Sequence, residues 1–448
     1  MDFDVAYSLE NAQQFWDELD DIVSVHRETQ DLTDQALKSY LAFTSSFTDE
    51  YLVSEYDWAK CAYKLLDSPL FTKHRNYVRR RMIGRLRKEI LTPRLHLIAL
   101  ILLYDGRGTQ KTFEMMLEEG LFIRLVDMVQ TTRDEDRMLW RSLIELLYEM
   151  SRIQRLRRED LEAIDDELIS YLFGLVEEDP EDPNDPYHYP VIRILLVLNE
   201  QYMVSAHAPP SNPVDPPGAP TNKVIKILCF HGSTYKTFGE NIILLLNRES
   251  ETCLQLLILK LLYLLFTTSA TYEYFYTNDL RVLVDVMIRN LLDLPDESEP
   301  LRHTYLRVLY PLLEHTQLRH PPHYKREEVL KLLECLSGVR SNHFQPVDQT
   351  TIRLVSRCAN VPWLKPATPP TPTDSMHPPP ENPAQRILGM SLVHHGQSSV
   401  SLMEVASKSE KPGVITPSRK LGTATVIPAG ASMDDSSNGN GVEIAGEA

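Results

Sequence analysis

In Asp279-Leu-Arg-Val-Leu-Val-Asp-Val-Met-Ile-Arg-Asn-Leu-Leu292 the apolar side chains recur at Leu280, Leu283, Val284, Met287 and Leu291. In Leu301-Arg-His-Thr-Tyr-Leu-Arg-Val-Leu-Tyr-Pro-Leu-Leu313 they recur at Leu301, Tyr305, Val308, Leu309 and Leu312. Spacings of three and four gather each set on one side of an α-helix. Working outward, Leu161, Ile164, Leu168, Leu172 and Leu175 read as another such stripe. Similar segments cover about 96–104, 111–130, 138–153, 191–204, 223–231, 236–247, 253–268, 326–338 and 348–358. Cys253 to Phe266 is apolar almost all round, broken only by Gln255 and Lys260. It falls short of the roughly 20 residues a bilayer span needs, so it reads as a central helix buried between neighbours and not as a transmembrane segment. Period-two alternation flanked by hairpin turns is nearly absent, and the fold expected is all-α. Short turns between helices over about 360 residues favour an armadillo/HEAT-like α-solenoid of about eight units over a single bundle.

The composition agrees. Of 30 prolines, ten lie between Pro180 and Pro220 and twelve from Pro362 onward, while residues 1–360 hold only nine of the 17 glycines. The punctuation is therefore local, and the rest of the body is free to be helix. The chain divides into a helical domain over 1–360, with exposed acidic or proline-rich loops at 179–190 and 205–222, and a disordered proline- and serine-rich tail over 361–448. With 46 basic and 63 acidic side chains the net charge is -17, which argues against nonspecific nucleic-acid binding. The five cysteines, Cys61, Cys229, Cys253, Cys335 and Cys358, are odd in number and widely spaced, and read as reduced core thiols of a cytosolic or nuclear chain; the localisation expected is cytoplasmic. The acidic start Met1-Asp2-Phe3-Asp4 has neither a basic n-region nor an apolar h-region, so no leader peptide is expected.

No constellation for catalysis stands out. Gly106-Arg107-Gly108-Thr109-Gln110-Lys111-Thr112 lacks the glycines a phosphate-binding loop requires and reads as a plain turn between helices. Neither a Gly-x-Ser-x-Gly elbow, a His-Glu-x-x-His helix nor a Cys-x-x-Cys pair occurs. The expectation is a non-enzyme without metal or cofactor, probing partners through its surface. Lys73 to Lys88 carries eight cations and no acid, Arg79, Arg80 and Arg81 among them. It reads either as a docking helix for an acidic protein or anionic lipid, or as an ordinary solvated face. In the tail, Pro366, Pro369 and Pro372 form overlapping PxxP units, with a further one at Pro380 and Pro383. Such segments suit SH3 grooves, and equally a plain linker.

The segment Asn241-Ile-Ile-Leu-Leu-Leu-Asn-Arg-Glu-Ser250, the run Leu256 to Thr268, Tyr274-Phe275-Tyr276-Thr277-Asn278-Asp279 and the stretch from Leu301 to Leu313 together resemble the leucine-rich domain of the WISH/DIP/SPIN family, specifically its fungal low-dye-binding endocytosis proteins. The resemblance is strongest over 223–338. It implies an armadillo-like fold and activation of the actin-related protein 2/3 complex, nucleating linear filaments without a preformed one in cortical actin patches during endocytosis. It does not extend to the SH3 domain of animal members, which leaves SH3-domain proteins as partners of the proline tail. A monomer is expected. Arg281, Arg289, Arg302 and Arg307 on the two helices quoted first, with Lys325 and Arg326 after them, are the candidate contacts; inter-repeat bonding is the competing role for each. The last tryptophan is Trp363 and the only acidic pair near the end is Asp434-Asp435, unlike the acidic, tryptophan-bearing tails of branch-forming activators. A passive scaffold that tethers SH3 proteins is the alternative.

Overall fold

The computed structural model describes residues 9, 11–24, 29–133, 135–178, 188–207, 220–338 and 347–365. Among them are nineteen α-helices and no strand. The order begins with Ala12–Ser24 (α1), Gln30–Ser46 (α2), Thr48–Tyr51 (α3), Glu55–Leu66 (α4) and Pro69–Leu86 (α5). Next come Thr92–Gly108 (α6), Lys111–Glu118 (α7), Leu121–Thr132 (α8), Arg137–Ile153 (α9), Arg158–Ala163 (α10), Asp166–Glu177 (α11) and Tyr189–Ala206 (α12). Lys223–His231 (α13), Lys236–Arg248 (α14), Thr252–Thr267 (α15), Thr277–Asp293 (α16), Glu299–His315 (α17), Arg326–Leu336 (α18) and Gln349–Ala359 (α19) complete it.

These helices stack in two layers. In one, α4, α6, α9, α12, α15, α17 and α19 pack each on the next as rungs of a ladder. The other layer runs beside it, with α11 on α14, α14 on α16 and α16 on α18. A rung in the middle of the stack has neighbours above, below and behind, which is why α6, α12 and α15 are apolar nearly all round. In α15, Leu254, Leu257, Ile258, Leu261, Leu262 and Leu265 are all fully buried, each favouring the stack by about 1.5–3 kcal/mol over an exposed side chain. The chain is thus the all-α solenoid that the periodicity indicated.

Local signals set the joints. Ser54 caps α4 and Asp57 answers from the third position, while Ser68 accepts from the Phe71 amide with Pro69 opening α5. Three joints differ from the sequence reading. The Asp165 carboxylate accepts from the Leu168 amide at 2.7 Å and starts a new helix, so Leu161 belongs to α10 and the stripe from Leu161 to Leu175 is two helices. Residues 111–130 are divided at Gly120, whose φ of 70° is the left-handed turn that glycine allows without strain. Gly106-Arg107-Gly108 is not a turn; α6 runs through it, and Gly106 leaves room for the Phe113 ring, which an added Cβ would meet at 2.3 Å.

The body also runs past the boundary expected at 360. Trp363 donates from Nε1 to the Leu313 carbonyl at 2.8 Å, and Leu364 is buried. Pro190 lies in the first turn of α12, and the remaining acidic and proline-rich segments, 179–187 and 208–219, lie outside the described residues, as does the tail beyond 365. Of the cysteines, Cys61, Cys253 and Cys358 are buried, but Cys229 is half-buried and Cys335 exposed, so the core-thiol expectation fails for Cys335. Among the described residues no helix is long and apolar enough to cross a membrane.

Candidate partner-binding face

Buried rungs leave few positions for polar side chains, and several of those present bridge one helix to another. Tyr63 of α4 stacks on Tyr104 of α6 with ring centres 5.0 Å apart. One turn on, Arg107 reaches Glu145 at 2.8 Å and Glu149 at 3.3 Å on α9. Glu149 also holds Arg152 at 3.0 Å. Burial alone would raise the Glu149 carboxyl, but Arg152, Arg107 and Arg193 outweigh it and keep it below its ordinary range. The Arg193 guanidinium of α12 lies 3.7 Å from the centre of the Tyr148 ring. Glu200 of α12 takes Lys260 of α15 at 2.7 Å, so the lysine that interrupts the apolar run is a joint between rungs. Tyr305 of α17 accepts from Asn290 at 2.8 Å.

At the far end the ladder becomes cationic. On α17, Arg307 is half-buried, and burial together with the charge of Arg353 on α19 pulls its guanidinium below the ordinary arginine value. Beside them the exposed Arg357 lies 4.1 Å from the Tyr310 ring centre. Tyr263 of α15 continues the same side, half-buried. The arrangement is a strip of cations and aromatic rings across three rungs, suited to an acidic or carbonyl-rich protein surface. Among the described residues no three His, Cys, Asp or Glu side chains gather where a metal could be held.

The other cations singled out from the sequence are distributed differently. Arg79 is buried and bonded to both oxygens of Asp105, at 2.6 and 2.8 Å, so it is closed to any partner. Arg81 is tied to Asp34, whereas Arg80 points to solvent. Arg289 donates to the side chain of Asn247 at 2.7 Å and Arg302 to the carbonyls of Leu294 and Pro295. Arg326 clamps the carbonyls of Trp363, Leu364 and Lys365. These three make bonds within the protein, at helix ends. Arg281 and Lys325 come together around the Tyr324 ring, at 5.6 and 5.7 Å from its centre, with Asp285 2.9 Å from Lys325. That group belongs to α16 and the entry to α18, in the other layer from Arg307. The five tail prolines, Pro366, Pro369, Pro372, Pro380 and Pro383, lie outside the described residues.

Comparison with known proteins places this architecture. Residues 184–329 match the family model described as SPIN90/Ldb17, leucine-rich domain. The protein dip1 of Schizosaccharomyces pombe is 32% identical over 368 residues, covering 81% of this chain and 96% of dip1. The chain belongs to the SPIN90/Ldb17 leucine-rich-domain family. LDB17 proteins of Eremothecium gossypii and Saccharomyces cerevisiae are each 28% identical, covering 77% and 81% of this chain and 80% and 82% of their own lengths. Two engineered proteins of solved structure align over 78% and 63% of this chain, and 75% and 94% of theirs, at 11% and 14% identity and TM-scores of 0.35 and 0.32. The fold assignment rests on the helices themselves.

The family's matched segment spans α12 to the start of α18 and contains Arg281, Arg289, Arg302, Arg307, Lys325 and Arg326; Arg79, Arg80 and Arg81 precede it. Arg353 and Arg357, which complete the cationic strip, follow it and were missed by sequence reasoning. Their signal was available: in α19 they stand four apart, opposite the buried Leu354, Val355 and Cys358.

Proposed function

We propose that this member of the SPIN90/Ldb17 family activates the actin-related protein 2/3 complex by binding and without catalysis, so that the complex nucleates linear filaments with no preformed filament. The product seeds branched networks in cortical actin patches during endocytosis, and the chain acts as a cytoplasmic monomer. Family membership, carried by the alignment with dip1 over most of both chains, is the observation that supports this reading most. The ladder supports it physically. An activator must bind one conformer of its target better than the other, and side chains fixed on packed rungs meet a displaced subunit in one conformer and miss it in the other. The strip Arg307, Tyr310, Arg353 and Arg357 is the contact surface proposed here, and the proline segments of the tail are proposed to engage SH3-domain proteins. A pyrene-actin assay with purified complex, monomeric actin and the full chain tests the activity: acceleration without added filaments is expected. No acceleration, with SH3 proteins still captured, would leave the passive scaffold.

A further inference from the structure

The cations of α5 are arranged as a surface of their own, remote in sequence from the strip. Its inward side buries Val78, Met82, Ile83 and Leu86. Opposite them, Arg80, Gly84 and Arg87 follow one another at helical spacing, with Lys88 just beyond, and all are exposed. Gly84 has nothing within 4 Å of where a Cβ would stand, so the centre of this face is flat and open. Arg80 and Lys88 have no hydrogen-bond or ion-pair partner among the described residues. Among the described residues, three carboxylates make contacts on this side. Asp34 holds Arg81, Glu119 lies 3.7 Å from Arg87, and Glu89 accepts from the Ile90 and Leu91 amides at 3.1 and 3.2 Å.

The last of these contacts matters most. By pinning the backbone between α5 and α6, Glu89 leaves Ile90 86% and Leu91 52% exposed, Ile90 being the most exposed large apolar side chain among the described residues. Two apolar side chains project here from a loop beside the unpaired Arg80 and Lys88 and beside Arg87, which donates to the Glu119 carbonyl. A protein partner's anchors favour concave, desolvated sites, whereas an interfacial membrane contact wants this pairing of an apolar wedge with a basic face.

We propose that α5 and the Ile90–Leu91 tip dock on an anionic lipid bilayer, with Arg80, Arg87 and Lys88 on the headgroups and the two apolar side chains among the acyl chains. The charge of -17 over the whole chain disfavours attachment through its acidic surfaces, so binding to an anionic bilayer requires a cationic face such as this one.

Co-sedimentation of the full chain with phosphatidylcholine vesicles containing phosphatidylserine, against pure phosphatidylcholine, tests this. Binding is expected only to the anionic vesicles and is expected to weaken as salt rises above about 0.1 M. Arg80→Ala and Lys88→Ala should each weaken it about fivefold, and Ile90→Asp should weaken it without removing a cation. Lys331→Ala, an exposed cation on α18, should leave it unchanged. The four side chains changed are exposed, so the thermal melting of each variant should match the parent. Equal binding to both vesicle types, or equal weakening by Lys331→Ala, would overturn the proposal. So would retention on immobilised polyglutamate that depends on Arg80, in the absence of vesicle binding; that result would make the face a site for acidic protein.

Discussion

Changing Arg79 and its neighbour Arg80 should have opposite consequences, though the two stand side by side in a run of arginines. Arg79 lies with 7% of its side chain exposed, as does Asp105, and the pair is joined by two bonds at 2.6 and 2.8 Å. Asn76 accepts a further bond from Arg79 at 3.2 Å, and the Thr112 hydroxyl donates to Asp105. Arg79→Ala would strand the Asp105 carboxylate between α5, α6 and α7 with only that hydroxyl. Removing one partner of a buried ion pair costs about 3–5 kcal/mol, mostly for the charge left behind. Asp105→Leu should cost as much. The double substitution Arg79→Met with Asp105→Leu should recover most of it, since similar-sized apolar side chains need no counter-charge. Arg80→Ala, at an exposed position, should stay within about 0.5 kcal/mol of the parent. Urea unfolding followed by circular dichroism reads all four. If Arg79→Ala unfolds at the parental midpoint, or the double variant is as weak as the singles added together, the pair is not the joint described here. A practical consequence follows: loss of function on changing Arg79, Arg80 and Arg81 together would report unfolding, and only Arg80 isolates the surface.

Other expectations are equally direct. Burial pushes the His96 imidazole down to about 4, against the weaker opposing effect of Asp136. The unfolded chain takes up that proton near 6.5 and the folded chain only near 4, so this stability is complete above about pH 6.5 and is lost as pH falls toward 4, by about 3 kcal/mol at most. Urea midpoints across that window should show it, and His96→Gln should flatten it. Gly106→Ala gains about 1 kcal/mol in helix propensity but drives a methyl into the Phe113 ring, so thermal melting should show net destabilisation of about 1–2 kcal/mol. Arg353→Ala combined with Arg357→Ala should leave melting unchanged and weaken binding to the actin-related protein 2/3 complex at least about tenfold, or 1.4 kcal/mol; parental affinity would remove the strip from the contact surface.

The helices were legible because burial imposes a period. Leu280, Leu283, Val284 and Met287, or Leu301, Tyr305, Val308 and Leu309, sit on one side of a helix whatever they pack against, and all are buried. Partners across the fold were not legible. Arg79 finds Asp105, and Lys260 finds Glu200, only when helices distant in sequence are laid together. A run of cations therefore looked uniform although one member is interior, one tied and one free. The carbonyls that occupy Arg302 and Arg326 carry no signal in sequence, because every residue has one. Gly106 looked like a turn because glycine marks turns and close approaches alike, and only the position of Phe113 separates the two. The helix α5 escaped detailed reading for a similar reason: it has basic residues on much of its circumference, and its inward stripe is narrow.

The polar joints bear on the proposed function through arithmetic. Moving a two-state target from one part active in a hundred to the reverse takes a preference of about 10⁴, near 5.5 kcal/mol. A hydrogen bond to a charged group contributes about 1.5–3 kcal/mol, so two to four arginine contacts made in one conformer and missed in the other suffice. Missing them is possible only if the arginines do not follow the displaced subunit, since such bonds weaken steeply as their geometry departs from ideal. Arg307 is held by half-burial on α17, and α17 in turn by α15, whose place against α12 is fixed by the Glu200–Lys260 pair as well as by leucine packing. Apolar packing alone tolerates small sliding between helices, whereas a paired charge in a buried joint does not. Breaking a joint such as Glu200–Lys260, distant from the strip, should therefore reduce the preference between conformers more than the total affinity, a combination that removing a contact residue would not give.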